Sequence, residues 1–415
     1  MKIVAATYGT EGDTRPLAAL CHALRSAGHD TLLLADAGTL GSAHALGVPS
    51  KALAGDIRGA LEPGQGIGTV VGGSSDLNAT AKALAAIANA HAASWLRTIL
   101  DEGRGADVLL VSGLAAFVGL AAGDCLRMPV IGAGMIPLSP TRAFPSPFLP
   151  PSLVPGFLNR ASHNFVSAMM WRAFKGSTNA ALTQVGGLPP RKRMWEGHPM
   201  LYGVSPSLLS KPDDWPSNTL ACGQWLLPSP DWTPPRELQD FLAAGEAPVY
   251  IGFGSMTGFD TSRLKQALTA GLRGRRALFY PGWSGVDTSD LPDNVLVVGE
   301  TAHDWLLPRT ALAIHHGGSG TSHSACRAGI PSVVVPFAGD QFFWAAQMKR
   351  RGVAPDAVKG RDIAADVLSR RIDEALAAPV RERARELGAR MREENGLATA
   401  VTAIEQLGTQ LRARN

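Results

Sequence analysis

Cysteine is scarce: Cys21, Cys125, Cys222 and Cys326 are the only four in 415 residues, with no CxxC pair among them. That spacing excludes a cysteine-clustered zinc site and a disulfide framework. It leaves four small core hydrophobes suited to a reducing compartment. Charge is thin as well, at 18% of residues with a formal excess of only +4. The surplus arginines scatter through the second half (Arg273, Arg275, Arg276, Arg350, Arg351, Arg370, Arg371) without interleaved aromatics, which reads as solvated helix faces and argues against a nucleic-acid partner. The longest apolar run, about Val108 to Ala122, falls short of a membrane span and stops at Asp124. The amino terminus enters a strand pattern at once, with no basic leader or cleavage site, so the expected location is cytoplasmic. HExxH and a well-placed DxD are absent, so no metal site is expected.

What the chain does have is apolar mass, 45% of its residues, in a length too great for one ordinary core. That length suits two α/β domains of about 200 residues each. KIVAATYG, TLLLAD, ADVLLVSG and PVIGAGMI read as buried parallel strands, and LAALCHALRSAGH and LAAFVGLAAGDCLR as the helices between them. The alternation predicts a doubly wound sheet. It breaks at SPTRAFPSPFLPPSLVPGF, whose prolines exclude regular structure and whose phenylalanines suggest the wall of a pocket. It restarts after a Pro- and Trp-rich connection with APVYIGFGS, SRLKQALTAGLRG, RALFYPG, NVLVVG, LAIHHGG and SVVVPF. The expected organisation is a first domain over 1–210, a linker over 211–235, a second domain over 236–395, and a helix over 396–415 able to pack back on the first domain.

The stretch AIHHGGSGTSHSACRAGIPSVVVPFAGDQ, residues 313–341, carries the most chemistry. A strand ends at His315–His316, glycines 317, 318 and 320 make a turn, and a helix opens near Thr321. Backbone N–H groups and the positive helix end then converge on one point, as a diphosphate requires. Ser319 or Thr321 can add a hydroxyl donor, and His316 can donate to a phosphate oxygen. The alternative is a structural strand–turn–helix with a capping threonine. Asp340 and Gln341 end the next strand in the same crevice, a carboxylate and an amide suited to sugar hydroxyls.

HHGGSGT, AGIPSVVVPFAGDQFFW, APVYIGFGSM, YPGWSG and AHDWLL together resemble the donor domain of the GT-B glycosyltransferases that use nucleoside-diphosphate sugars. The resemblance extends to YGTEGDTRPLAALCHAL, FPSPFLPP and CGQW, so it covers nearly the whole chain, and it leans to the sterol glucosyltransferase-like and antibiotic-aglycone branches. It implies two Rossmann-like domains facing across a cleft. It implies donor contacts from His316, Gly318, Ser319, Gly320 and Thr321 to the diphosphate, from Asp340 and Gln341 to the sugar, and from Gly254 and Ser255 to nucleotide and phosphates. Trp283 and Thr301 fall where base and ribose are held. Many plant members place a ribose-binding glutamate where this chain has Ser324.

The resemblance also implies Asp13, in GTEGDTRP, as the general base that takes the acceptor proton, with UDP-glucose as co-substrate, no other cofactor and inversion at the anomeric carbon. Read alone, Asp13 sits where a helix N-cap belongs, and the two roles can coexist. A dTDP-deoxysugar is the alternative donor, and a hydroxylated apolar polycycle (sterol-like, polyketide or flavonoid) the expected acceptor. Phe144, Phe148 and His163, together with loops near 55–80 and 135–175, are candidates for the acceptor wall; a helix histidine satisfied by its own fold is the other reading of His163. A nucleotide-dependent oxidoreductase is disfavoured because GFGSMTG lacks the full GxGxxG pattern. A nucleotide-sugar epimerase and a catalytically silent ligand-binding homologue are the remaining alternatives.

Overall fold

The computed structural model describes residues 1–61, 77–228, 232–254 and 260–412. Two all-parallel sheets organise them. The first contains β1 (Lys2–Ala6), β2 (Asp30–Asp36), β3 (Ser50–Leu53), β4 (Val108–Val111), β5 (Val130–Gly134), β6 (Met200–Tyr202) and β7 (Thr219–Ala221), in the order β3-β2-β1-β4-β5-β6-β7. The second contains β8 (Val249–Gly252), β9 (Ala277–Tyr280), β10 (Val295–Val297), β11 (Leu312–His315) and β12 (Ser332–Val334), in the order β10-β9-β8-β11-β12.

Both strand orders reverse direction once, between β1 and β4 and between β8 and β11. In open parallel sheets the loops at such a reversal splay apart and leave a crevice at the carboxyl ends of the strands. Those ends are Thr7–Gly9 and Ser112–Gly113 in the first sheet, and Phe253–Gly254 and His316–Gly318 in the second.

Burial on both faces explains why these strands read as continuous apolar runs. Ile3 and Ala5 pack with Leu17, Leu20 and Leu24 of the helix Glu11–Ser26, whereas Val4 and Ala6 pack with Trp95, Leu96 and Ile99 of the helix Leu77–Gly103. In the second sheet, Ile251, Phe279 and Ile314 meet Leu264 and Leu268 on one side, and Tyr250, Leu278 and Ala313 meet Leu306 and Ala325 on the other.

A third apolar cluster joins the two sheets' domains. Phe144, Tyr202 and Trp215 pack with Phe343, Trp344, Met348 and Met391. The final helix, Gly396–Arg412, returns to the first domain, where Ala400, Val401 and Ile404 complete the layer over Ile3 and Ala5. The crossing that sends it there is glycine on glycine. A Cβ at Gly223, whose φ is +104°, would meet the Gly396 backbone at 2.9 Å, so no side chain fits. β7 lies inside the segment read from composition as a linker, so the chain leaves the first sheet only after Ala221.

Candidate functional site

The second domain builds its half of the site at the β8/β11 reversal. β11 ends in His315, paired with Gly252 of β8 and Val334 of β12. The helix then opens at Ser319 with Gly318 as its N-cap, two residues earlier than Thr321, so the amides of Ser319, Gly320 and Thr321 form its first turn and lack intrahelical acceptors. Three N–H groups without intrahelical acceptors at a positive helix end can hold an anion.

The His316 ring lies between Gly254 and Gly318: a Cβ on Gly254 would stand 3.2 Å from His316 Cε1, and one on Gly318 would collide with Nε2. Gly254 in turn accepts a 2.9 Å hydrogen bond from the Trp283 amide, which ties the β9 loop to the same spot. Gly317 has φ +92°, and a side chain there would strike Val334 and the backbone of Gln341. The turn thus needs glycine for both conformation and space.

The side chain of His315 fixes the turn. It is fully buried, and its Nδ1 accepts from the Gly317 amide at 3.1 Å, which assigns the ring proton to Nε2. Burial pushes His315 down to about 3 and His316 to about 4. His323 and His303 are also lowered to about 4 by burial. All four are neutral at pH 7, so His316 brings no full charge to the site.

Asp340 stands at the N-cap position of the helix Gln341–Arg350, partly sheltered and without a side-chain capping bond, and its Oδ2 accepts from Trp344 Nε1 at 2.8 Å. The Gln341 side-chain oxygen accepts from the amides of Phe337 (2.7 Å) and Ala338 (3.2 Å), which braces the loop entering this helix. Ser319 Oγ donates to the Met135 carbonyl at 2.9 Å, so its hydroxyl spans the two domains. Thr301 Oγ1 donates to Gly299 O, and Trp283 carries Arg58 of the first domain over its ring at 5.4 Å. Gln224 Nε2 meets Ser324 Oγ at 3.2 Å, at the position where plant relatives carry glutamate.

The first domain contributes Asp13. The N-cap is Thr10, and Asp13 is the N3 residue of a capping box: its Oδ2 accepts from the Thr10 amide at 2.9 Å, and Thr10 Oγ1 accepts from the first turn. Gly9 has no room for a side chain because the Asp13 carboxylate occupies that space. Burial raises the Asp13 carboxyl to about 6 against the Thr10 hydrogen bonds, and the negative charge of Asp340 adds to the rise. Asp340 is likewise raised to about 6 by burial, with the Trp344 hydrogen bond opposing. The two carboxylates therefore sense each other across the interdomain gap. An ion pair between Arg15, one turn's edge from Asp13, and Glu300, beside Thr301, closes the same gap.

Not every candidate joins this site. Phe144 is 2% exposed and packs its ring against Phe343 at 5.2 Å, so it is interdomain core and not pocket wall. His163 is 1% exposed, its Nδ1 3.3 Å from Leu138 O and its Nε2 3.1 Å from Phe144 O. It pins the proline-rich segment to its helix, the bland reading of that residue. Phe148 is half-buried. Ser255 and most of the expected acceptor loop near 55–80 lie outside the described residues.

The sequence reading missed Arg15, Glu300, Gly9, Trp344 and the Met135 carbonyl. Trp344 had a signal, since a residue four beyond a helix cap stands over it. Gly9 had one too, standing directly before the loop that carries Asp13. Arg15 and Glu300 are 285 positions apart and had none.

Residues 278–406 match the family described as "Erythromycin biosynthesis protein CIII-like, C-terminal domain". The chain is 32% identical over 432 residues to the O-mycaminosyltylonolide 6-deoxyallosyltransferase of Streptomyces fradiae, covering 98% of this chain and 97% of the relative. It is 31% identical over 437 residues to a sterol 3-beta-glucosyltransferase of Emericella nidulans, covering 97% of this chain but only 30% of that longer protein. The crystal structure of the glycosyltransferase VinC in complex with dTDP superposes with a TM-score of 0.68 at 17% identity, covering 99% of this chain and 100% of VinC, and so shares the fold.

Proposed function

Because the chain belongs to the GT-B glycosyltransferases of the sterol glucosyltransferase-like and antibiotic-aglycone type, we propose that it moves a hexose from a nucleoside-diphosphate sugar, UDP-glucose first, onto a hydroxyl of an apolar polycycle. The observation that carries this reading is the pairing across one gap of an anion-binding helix start, Ser319–Thr321 beside His316, with a carboxylate, Asp13, raised to about 6.

The step is a single displacement. The acceptor oxygen bonds to the anomeric carbon as the bond from that carbon to the diphosphate oxygen breaks, and Asp13 takes the hydroxyl proton. An α-linked donor then gives a β-glycoside. A carboxylate raised toward neutrality is a better base than an ordinary aspartate, and it is mostly ionised at pH 7. The leaving diphosphate gains negative charge where the first-turn amides and the neutral His316 N–H point, so those groups hold the transition state more tightly than the ground state. Asp340 and Gln341 sit beside Gly317 and orient the sugar hydroxyls. Trp283 takes the base, with Thr301 and Gly254 toward ribose and phosphates. The acceptor lies against the first domain, where the inner face of the proline-rich segment and Phe148 supply apolar wall.

The relatives' names support the acceptor class: one is named for O-mycaminosyltylonolide and one for a sterol. Purified protein incubated with UDP-glucose or dTDP-deoxysugars and a panel of hydroxylated polycycles is expected to release nucleoside diphosphate and form a β-glycoside, read by NMR of the anomeric proton. Absence of both bound and released diphosphate with every donor would reject the donor site and favour a silent ligand-binding homologue.

A further inference from the structure

One face of the first domain combines exposed apolar side chains with a local excess of cations. Between Asp124 and Glu196 there is no aspartate or glutamate, whereas eight lysines and arginines fall in that interval. Over the same interval the surface carries Leu153 at 74% exposure, Phe157 at 87% and Phe165 at 57%. These are three of the five large apolar side chains exposed among the described residues, and Leu158 beside them is a fourth.

The local structure holds them outward. Leu153 and Phe157 ride on two short 3-10 turns, Pro151–Leu153 and Gly156–Leu158, each preceded by proline and neither containing a buried residue. The helix that follows, Asn159–Gln184, turns Ser162, His163, Val166 and Phe174 inward. Ala161, Phe165, Ala168 and Arg172, spaced by three and four residues, are exposed together on its outer side. The proline-rich segment is tied to the helix by Asn159 Nδ2 donating to Arg142 O at 2.9 Å and by the Ser146 amide donating to Ser162 Oγ at 2.9 Å. The aromatics are therefore presented by a fixed edge, bordered by the exposed cations Arg142, Arg160 and Arg172, of which Arg160 is paired with Asp214 at 3.5 Å and the other two carry the surplus charge.

We propose that this face docks the protein on a bilayer carrying anionic lipid, with Leu153, Phe157 and Phe165 entering the interface and the arginines meeting headgroup phosphates. Charge decides between occupants. A second copy of the same face would bring like charges together, whereas an anionic surface complements it. Binding is peripheral: among the described residues no helix is long and apolar enough to cross a membrane. The turn Pro151–Leu153 lies against the helix Gln341–Arg350, whose first residue adjoins Asp340. Docking there sets the interdomain gap beside the layer in which an apolar alcohol would be dissolved, though the docking itself does not depend on the reaction assigned above.

The test is co-sedimentation of the full chain with vesicles of phosphatidylcholine alone or with 30 mol%, roughly, of phosphatidylglycerol, a content that gives the surface a strong negative potential. Wild type is expected to bind the anionic vesicles and to release as salt rises. Leu153→Ser with Phe157→Ser is expected to lower partitioning at least tenfold, roughly, because each apolar insertion is lost. Arg142→Glu with Arg172→Glu is expected to abolish the preference for anionic vesicles. All four positions are exposed, so an unchanged thermal midpoint certifies that each variant is folded. Failure of wild type to bind, or equal binding by the serine variant, overturns the proposal. So does a wild-type dimer by sedimentation velocity that the serine pair converts to monomer without any vesicle binding, which would assign the face to a second copy.

Discussion

Asp13 serves two masters with one carboxylate. As the N3 residue of a capping box it ties down the Thr10 amide, and burial, with the charge of Asp340 adding, raises it to about 6. Asparagine separates the roles, since its side-chain oxygen still accepts from Thr10 but takes no proton. Asp13→Asn is expected to lower kcat by roughly 10²- to 10⁴-fold. The sign of its stability effect follows from linkage. A carboxyl whose folded pKa lies above its ordinary value stabilises the fold only while protonated, and that stability is lost as pH rises from about 4 through about 6. Asp13→Asn is therefore expected to raise the thermal midpoint at pH 8 and to converge with wild type toward pH 4. In wild type, kcat/KM is expected to climb through about pH 6 and then level, whereas a profile flat from pH 5 to 8 would remove Asp13 as the base.

At the scale of elements, what could be read from sequence depended on length and on burial of both faces. β1, β2, β4, β8, β9 and β11 were legible because residues such as Val4, Leu109 and Ile251 give unbroken apolar runs. β6 and β7 hold three residues each, with only β7 at the sheet's edge, and β3 exposes Lys51 and Ala52, so no run announced them. Turn chemistry was legible where glycine had no substitute. Gly317→Ala forces a side chain into a left-handed backbone and against Gln341, a strain of about 1–3 kcal/mol. It is expected to raise the donor KM about tenfold or more while leaving the far-ultraviolet circular dichroism intact; an unchanged donor KM would show that the turn does not shape the donor site.

Across the whole molecule, the side-chain contacts that join the domains were not legible, because they connect distant positions. Phe144 looked like pocket wall from its proline-rich neighbours, yet it packs with Phe343, and the side chain of Arg351 donates to Leu208 O at 2.9 Å across the same seam. Nothing in either local sequence names the other partner. Phe144→Ala opens a cavity in that seam and is expected to cost about 3–5 kcal/mol, visible as a lower thermal midpoint; a midpoint within a degree of wild type would place the cohesion of the domains elsewhere. In the proposed reading, helix amides and neutral histidines meet the donor's charge in the assembled gap. Among the described residues no group of three or more His, Cys, Asp or Glu side chains is placed to hold an ion. Transfer is accordingly expected to persist in EDTA, and complete loss restored by Mg²⁺ would contradict that.

The most direct test of the central claim is a parallel assay of wild type and Asp13→Asn for glycoside formation and for binding of the nucleoside-diphosphate product. The account predicts that wild type forms a β-glycoside and that the variant binds diphosphate with similar affinity but forms at least a hundredfold less product, roughly the low end of general-base loss. A variant that transfers sugar at the wild-type rate would show that the proton leaves by another route and that Asp13 is only a helix cap.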